Sequence, residues 1–146
     1  MCRSISCGAT HDRLPLIAAA FEQRVHDYIA KVCQDDGCRV IAIGGMPDHV
    51  HLLVGLSATI TISKLMKDVK GGSSRFISEQ CRPGEWFAWQ AHYGAIAVSP
   101  AHVARVTQYI AQQKQHHADD TLWPEAEEMF TEAVALEPAE QHVTGE

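Results

Sequence analysis

The segment Met46-Pro-Asp-His-Val-His-Leu-Leu-Val54 constrains this chain more than any other. It has the make-up of a buried strand, and alternation along a strand puts His49, His51 and Leu53 on one face and Val50, Leu52 and Val54 on the other. Two imidazoles then project in parallel. Neutral imidazole is the commonest protein ligand for divalent metals, and a strand-held pair needs little further ordering to chelate one ion. The plainer alternative is one histidine hydrogen-bonded in the core and the other facing solvent. The residues around the pair have to decide between them.

The chain of 146 residues, 46% hydrophobic, has the size and apolar content of one globular domain. We place that domain at 1–136 and a disordered acidic tail at 137–146. No apolar run reaches the roughly 20 residues of a membrane helix. The start of the chain, with Asp12 and Arg13 ahead of a short apolar stretch, lacks signal-peptide order, so a cytoplasmic protein with no membrane partner is expected. Five cysteines without a Cys-x-x-Cys argue for free thiols over a disulfide framework or a zinc knuckle. The net charge of −6 conceals an asymmetry: all 12 Lys and Arg lie in residues 1–117, which carry +3, while residues 118–146 carry −9. The body is mildly basic and compatible with a polyanion.

Arg3 to Thr10 reads as an extended strand weakened by Gly8, and Leu16 to Val32 as an amphipathic helix with Ile17, Phe21, Val25, Tyr28, Ile29 and Val32 at helical spacing. Asp35-Asp36-Gly37 makes a turn. Cys38 to Ile43 is a short strand, and Gly44 to Asp48 a tight connection to the histidine strand, so the two strands pair antiparallel. A second helix begins at about Ile62; Gly71-Gly72 marks either its break or a close backbone approach. The run Lys70-Gly-Gly-Ser-Ser-Arg75 offers Lys70, Ser73, Ser74 and Arg75 to phosphates, although a solvated helix end fits the composition equally. Trp86, Phe87, Trp89 and Tyr93 form core or a base-stacking platform, with core the plainer reading.

Ser99-Pro100 opens another helix whose apolar stripe is Val103, Val106 and Ile110; Arg105, Tyr109, Gln113 and His116 share the adjacent face. A short last helix is expected over 124–136. This order of elements points to an α+β fold, an antiparallel sheet with helices packed on one face.

In such a fold the helix bearing Tyr109 can reach the histidine strand. The Gln113 amide oxygen then becomes a third ligand beside His49 and His51, leaving open positions on magnesium or manganese. A phenolate at Tyr109 attacks phosphorus well and forms a covalent phosphodiester, and a metal would polarise the scissile phosphate. The same residues also suit a water-using nuclease in which Tyr109 is structural. Asp48 can orient a histidine through its carboxylate, but the Pro-Asp turn accounts for it more simply.

Four blocks in order, PDHVHLLV at 47–54, KGGSSRFI at 70–77, FAWQ-x-x-YGAIAVSP at 87–100 and YIAQQKQHH at 109–117, resemble the single-tyrosine HUH transposases of the insertion-sequence 200/605 group, including the REP-associated tyrosine transposases. The likeness covers roughly residues 13–117. It implies a ferredoxin-like sheet, His49, His51 and Gln113 as metal ligands, and Tyr109 as the nucleophile. It further implies cutting and rejoining of single-stranded DNA beside imperfect hairpins through a 5′-phosphotyrosine. Lys70, Ser73, Ser74, Arg75 and Arg105 are the candidate DNA contacts. A homodimer is expected, with a composite site that can join the histidines of one subunit to the tyrosine helix of the other. Two features depart from that pattern: the first strand is small and polar where the family has an apolar and aromatic run ending in Ser-Thr-Lys, and His92 stands where glycine is common. A relative that binds hairpin DNA without turnover is the alternative from a different class.

Overall fold

The computed structural model describes residues 2–112. Within them the chain runs β1 (Cys2–Ala9), α1 (Glu22–Asp35), β2 (Arg39–Met46), β3 (His49–Leu56), α2 (Ile62–Phe76), β4 (Gly94–Ala97) and α3 (Val103–Ala111). The four strands form one sheet in the order β2-β3-β1-β4, with every neighbouring pair antiparallel. This β-α-β-β-α-β order is the ferredoxin-like arrangement expected, with α3 added at the end.

The alternation in β3 divides the interior in two. Val50, Leu52 and Val54 join Val25, Ile29 and Cys33 of α1 and Leu65 and Val69 of α2 in the larger core. Leu53 faces the other way, into a smaller cluster with Ile5 of β1 and Val106, Tyr109 and Ile110 of α3. The expectation of helices on one face therefore holds for α1 and α2 and is corrected for α3. The reason is local: Ile5 and Leu53 make the histidine face apolar enough to bury a helix stripe of its own.

Three boundaries differ from those read in the sequence. α1 begins at Glu22, because Leu16 and Ile17 are buried as irregular chain, with the Ile17 amide donating to the Pro47 carbonyl at 2.9 Å. β2 runs on through Gly44 and Gly45 to Met46, leaving Pro47-Asp48 as the whole turn. Gly71 and Gly72 do not break α2; a methyl on Gly72 would press on the Tyr28 ring, 3.2 Å from its hydroxyl oxygen. The approach there is by a side chain, not by another backbone.

β1 is the inner strand between β3 and β4, small as its residues are. Ser4 and Ser6 are buried, and the Ser4 hydroxyl donates to the Ile96 carbonyl at 3.1 Å. Cys33, Cys38 and Cys81 are free thiols, and burial, followed by the nearby Cys38 and Asp36, pushes the Cys33 thiol up to about 12. No helix among the described residues is long and apolar enough to cross a membrane.

Candidate active site

Each histidine is delivered by its place in the ladder. His49 pairs with Met46 and Ala9, and His51 with Gly44 and Cys7, so backbone hydrogen bonds on both sides fix the strand that carries them. Both side chains are buried, with ring centroids 4.8 Å apart at 73°. The His49 Nδ1 lies 2.7 Å from the Asp48 carboxylate and 3.4 Å from an Arg13 guanidinium nitrogen. An ionised carboxylate only accepts, so at the shorter distance Nδ1 carries the proton and donates it to Asp48. Arg13 cannot donate to that same nitrogen and is held instead by the second Asp48 oxygen at 3.4 Å. Burial alone would raise the Asp48 carboxyl; the hydrogen bond and electrostatic attraction from His49, with the Arg13 charge, outweigh it and hold it below the usual carboxylate value.

This carboxylate–imidazole pair is the arrangement that aims a metal-ligating histidine, because protonation of Nδ1 makes Nε2 the nitrogen that carries the lone pair. Asp48 thus occupies the turn and also orients His49, so the simpler turn reading is incomplete. Arg13 was not singled out in the sequence at all. Nothing local marks Asp48 as its partner, although its backbone φ of 54°, beside Asp12 at 53°, shows how tightly that hook is bent.

α3 brings Tyr109 to the same face. Its ring is buried, 6.5 Å centroid to centroid from His51. The helix comes this close because β2 has no side chain beneath it at Gly44, where a methyl would collide with the Ile110 carbonyl oxygen. Ser99 closes on the His102 ring at 2.7 Å, and a 3₁₀ turn over Pro100–His102 leads into α3. Gln113 lies outside the described residues, as do His116, the helix expected over 124–136 and the tail at 137–146. Among the described residues no group of three or more His, Cys, Asp or Glu gathers as a metal site. His49 and His51, with their shared face and the Nδ1 lock, fit a divalent ion.

The candidate DNA contacts separate. Ser73 is fully buried, donating to the Val69 carbonyl and accepting from the Trp89 indole at 2.9 Å, which corrects its assignment to phosphate. Lys70 donates to the carbonyls of Gln90 and His92, both at 2.7 Å, and lies over the Tyr93 ring. Lys70 and Ser73 therefore anchor the segment after α2. Ser74 is half-buried, Arg75 is exposed beside Glu79, and Arg105 is exposed on α3. The aromatic cluster is core at Phe87 and Tyr93, as the plainer reading held, while Trp86 is exposed.

Comparison with known proteins meets this geometry. The family profile described as IS200-like transposase matches residues 8–113. The ISDra2 transposase TnpA of Deinococcus radiodurans is 32% identical over 92 residues, a match spanning 60% of this chain and 66% of that protein. A crystal structure of a Deinococcus radiodurans protein described as a transposase superposes with a TM-score of 0.61 at 27% identity, over 76% of this chain and 89% of the other. A REP-associated tyrosine transposase bound to a REP hairpin shares the fold, with a TM-score of 0.63 at 18% identity over 80% and 68% of the two chains. The tyrosine beside the paired histidines thus sits in the region that the profile covers, and the chain belongs to the IS200-like transposases.

Proposed function

We propose that this protein cuts and rejoins single-stranded DNA next to imperfect hairpins, with Tyr109 as nucleophile and a magnesium or manganese ion held by His49, His51 and Gln113. The observation that carries the reading is Tyr109 buried against His51, whose neighbour His49 is oriented by Asp48. In the cutting step the Tyr109 phenolate oxygen bonds to phosphorus and the bond from phosphorus to the 3′ oxygen breaks. That oxygen leaves as a 3′-hydroxyl after taking up a proton, and the 5′ phosphate stays on the tyrosine. Rejoining reverses the exchange: a 3′-hydroxyl attacks the phosphotyrosine and releases Tyr109. One phosphodiester replaces another, so no external energy is needed. A divalent ion would supply charge stabilisation at the phosphate oxygens.

Arg75, Arg105 and Ser74 remain exposed or half-exposed for the phosphate backbone. In the chain described, Tyr109 lies beside its own histidines; a homodimer that exchanges tyrosine helices belongs to the same reading. A cytoplasmic location fits access to DNA.

The test is incubation of the full chain with a hairpin-flanked single-stranded oligonucleotide and magnesium or manganese. A covalent protein–DNA adduct is expected, absent in Tyr109→Phe and absent in chelator. Binding without adduct in the parent would leave a hairpin-binding protein, and multiple turnover without adduct would make water the nucleophile; either sinks the proposal.

A further inference from the structure

Trp86 is 57% exposed, and the only other large apolar side chain so exposed among the described residues is Leu14, three positions after His11. Single exposed apolar residues are ordinary. Trp86 is distinguished by what holds it. The His11 ring stands edge-on to the indole at 5.2 Å and 90°. The segment behind the indole is pinned to the end of β1: the His11 amide donates to the Ala88 carbonyl and the Gln90 amide to the Ala9 carbonyl, each at 2.9 Å, and Thr10 bridges Trp89. The Thr10 amide donates in turn to the Asp48 carbonyl at 2.9 Å, and Arg13 at the end of the hook reaches the Asp48 carboxylate. Two consecutive left-handed non-glycine residues, Asp12 and Arg13, close that hook, a conformation that persists only where its surroundings enforce it. An exposed indole is thus tied through backbone hydrogen bonds to the turn that orients His49.

We infer that Trp86, cornered by His11, is a stacking shelf for one unpaired base of the single-stranded substrate beside the scissile phosphate. The inference rests on the transposase reading above. The charges favour a base plane over a phosphate here. Glu85 is 2.9 Å from Arg82, Arg13 lies against Asp48 and Asp12 stands 3.3 Å from the His11 ring, so the rim offers an aromatic face with no surplus Lys or Arg charge. Stacking on such a face tolerates any base and needs the base to be out of a duplex.

The experiment uses the full chain with Tyr109→Phe, so that binding is read without cleavage, and measures the affinity of a hairpin-flanked single-stranded oligonucleotide in magnesium. Adding Trp86→Ala is expected to weaken binding about 5- to 100-fold, the range of one lost base stack. Trp86→Phe should restore most of it, and a fully duplex DNA should show no difference. A series of oligonucleotides, each with one abasic position, locates the partner: at one position the abasic change weakens the parent as much as Trp86→Ala does, and the two losses do not add. Equal affinity of parent and Trp86→Ala, losses that add at every position, or a change of oligomeric state that accounts for the loss would overturn the shelf while leaving the adduct assay intact. A parent that binds no oligonucleotide and forms no adduct takes down the transposase reading and the shelf together.

Discussion

The two faces of β3 are made by the same eight residues and do different work. Toward α1 and α2 the strand presents Val50, Leu52 and Val54, three aliphatic side chains in the larger core with no polar group among them. Toward α3 it presents His49 and His51 before Leu53, so two of three positions hold imidazoles and the apolar packing contracts to a small cluster around Ile5, Leu53 and the α3 stripe. Apolar packing is concentrated on one side of the sheet and the paired imidazoles on the other. The histidine side adds to its small apolar cluster a close helix approach and the Arg13–Asp48–His49 chain. Substitutions on the two sides should therefore fail in different ways.

The largest effect on stability is expected from Leu52→Ala. It removes a buried side chain from the α1/α2 side and should cost about 2–5 kcal/mol, read as a lowered denaturation midpoint. Adduct formation per folded molecule should be unchanged at low temperature. A selective loss of adduct would mean that the two faces are coupled. Gly44→Ala tests the other side. The added methyl meets the Ile110 carbonyl, so α3 must move away from β2. Overpacking of this kind costs about 1–3 kcal/mol, and adduct yield should fall with it because Tyr109 moves off His51. Unaltered adduct in a destabilised Gly44→Ala would show that the tyrosine helix of another subunit completes the site.

Asp48→Asn leaves size and packing intact and removes the acceptor-only carboxylate that holds the proton on His49 Nδ1. Loss of such a partner typically weakens metal affinity about 10- to 100-fold, so the manganese concentration for half-maximal adduct should rise by that factor with little change in thermal stability. No shift in metal dependence would mean that His49 is oriented by the strand alone.

The division between faces was visible in the sequence because period-two alternation needs no distant information: the histidines, their shared face and the tyrosine helix could all be placed from local spacing. What escaped depends on contacts far apart in the chain. Arg13 finds Asp48 only once the hook after β1 has folded over the Pro47-Asp48 turn. Ser73 sits in a run whose composition suits phosphate, yet its helical phase turns it inward, where the Trp89 indole uses its hydroxyl. Ile17 fits the period of α1 and is buried for another reason, being pinned to Pro47 before the helix begins. Gly44 and Gly45 looked like turn residues because glycine favours turns, but at Gly44 the missing side chain makes room for α3.

β1 supplies the smallest and most discriminating test, since its residues on the α1/α2 side are small. Ser6 and Gly8 line a cavity of about 20 Å³ with Ile29, Val50, Leu52, Met66, Val69, Lys70 and Trp89. The buried Ser6 hydroxyl has no hydrogen-bond partner among the described residues. A methyl at Gly8 would lie 3.9 Å from Trp89 and 4.0 Å from Lys70, ordinary contact distances. Its backbone φ is not in the left-handed region. Gly8→Ala should therefore stabilise by about 0.4–1 kcal/mol through the unfolded chain's lost freedom, raising the melting temperature by about 1–4 °C. Because position 8 pairs with Val50 and shares its side of the sheet, away from His49 and His51, adduct formation should not change. A lower melting temperature would show that the gap under β1 is closed to even one methyl. Unchanged stability with altered adduct would show that the packed face reaches the chemical one through the inner strand they share.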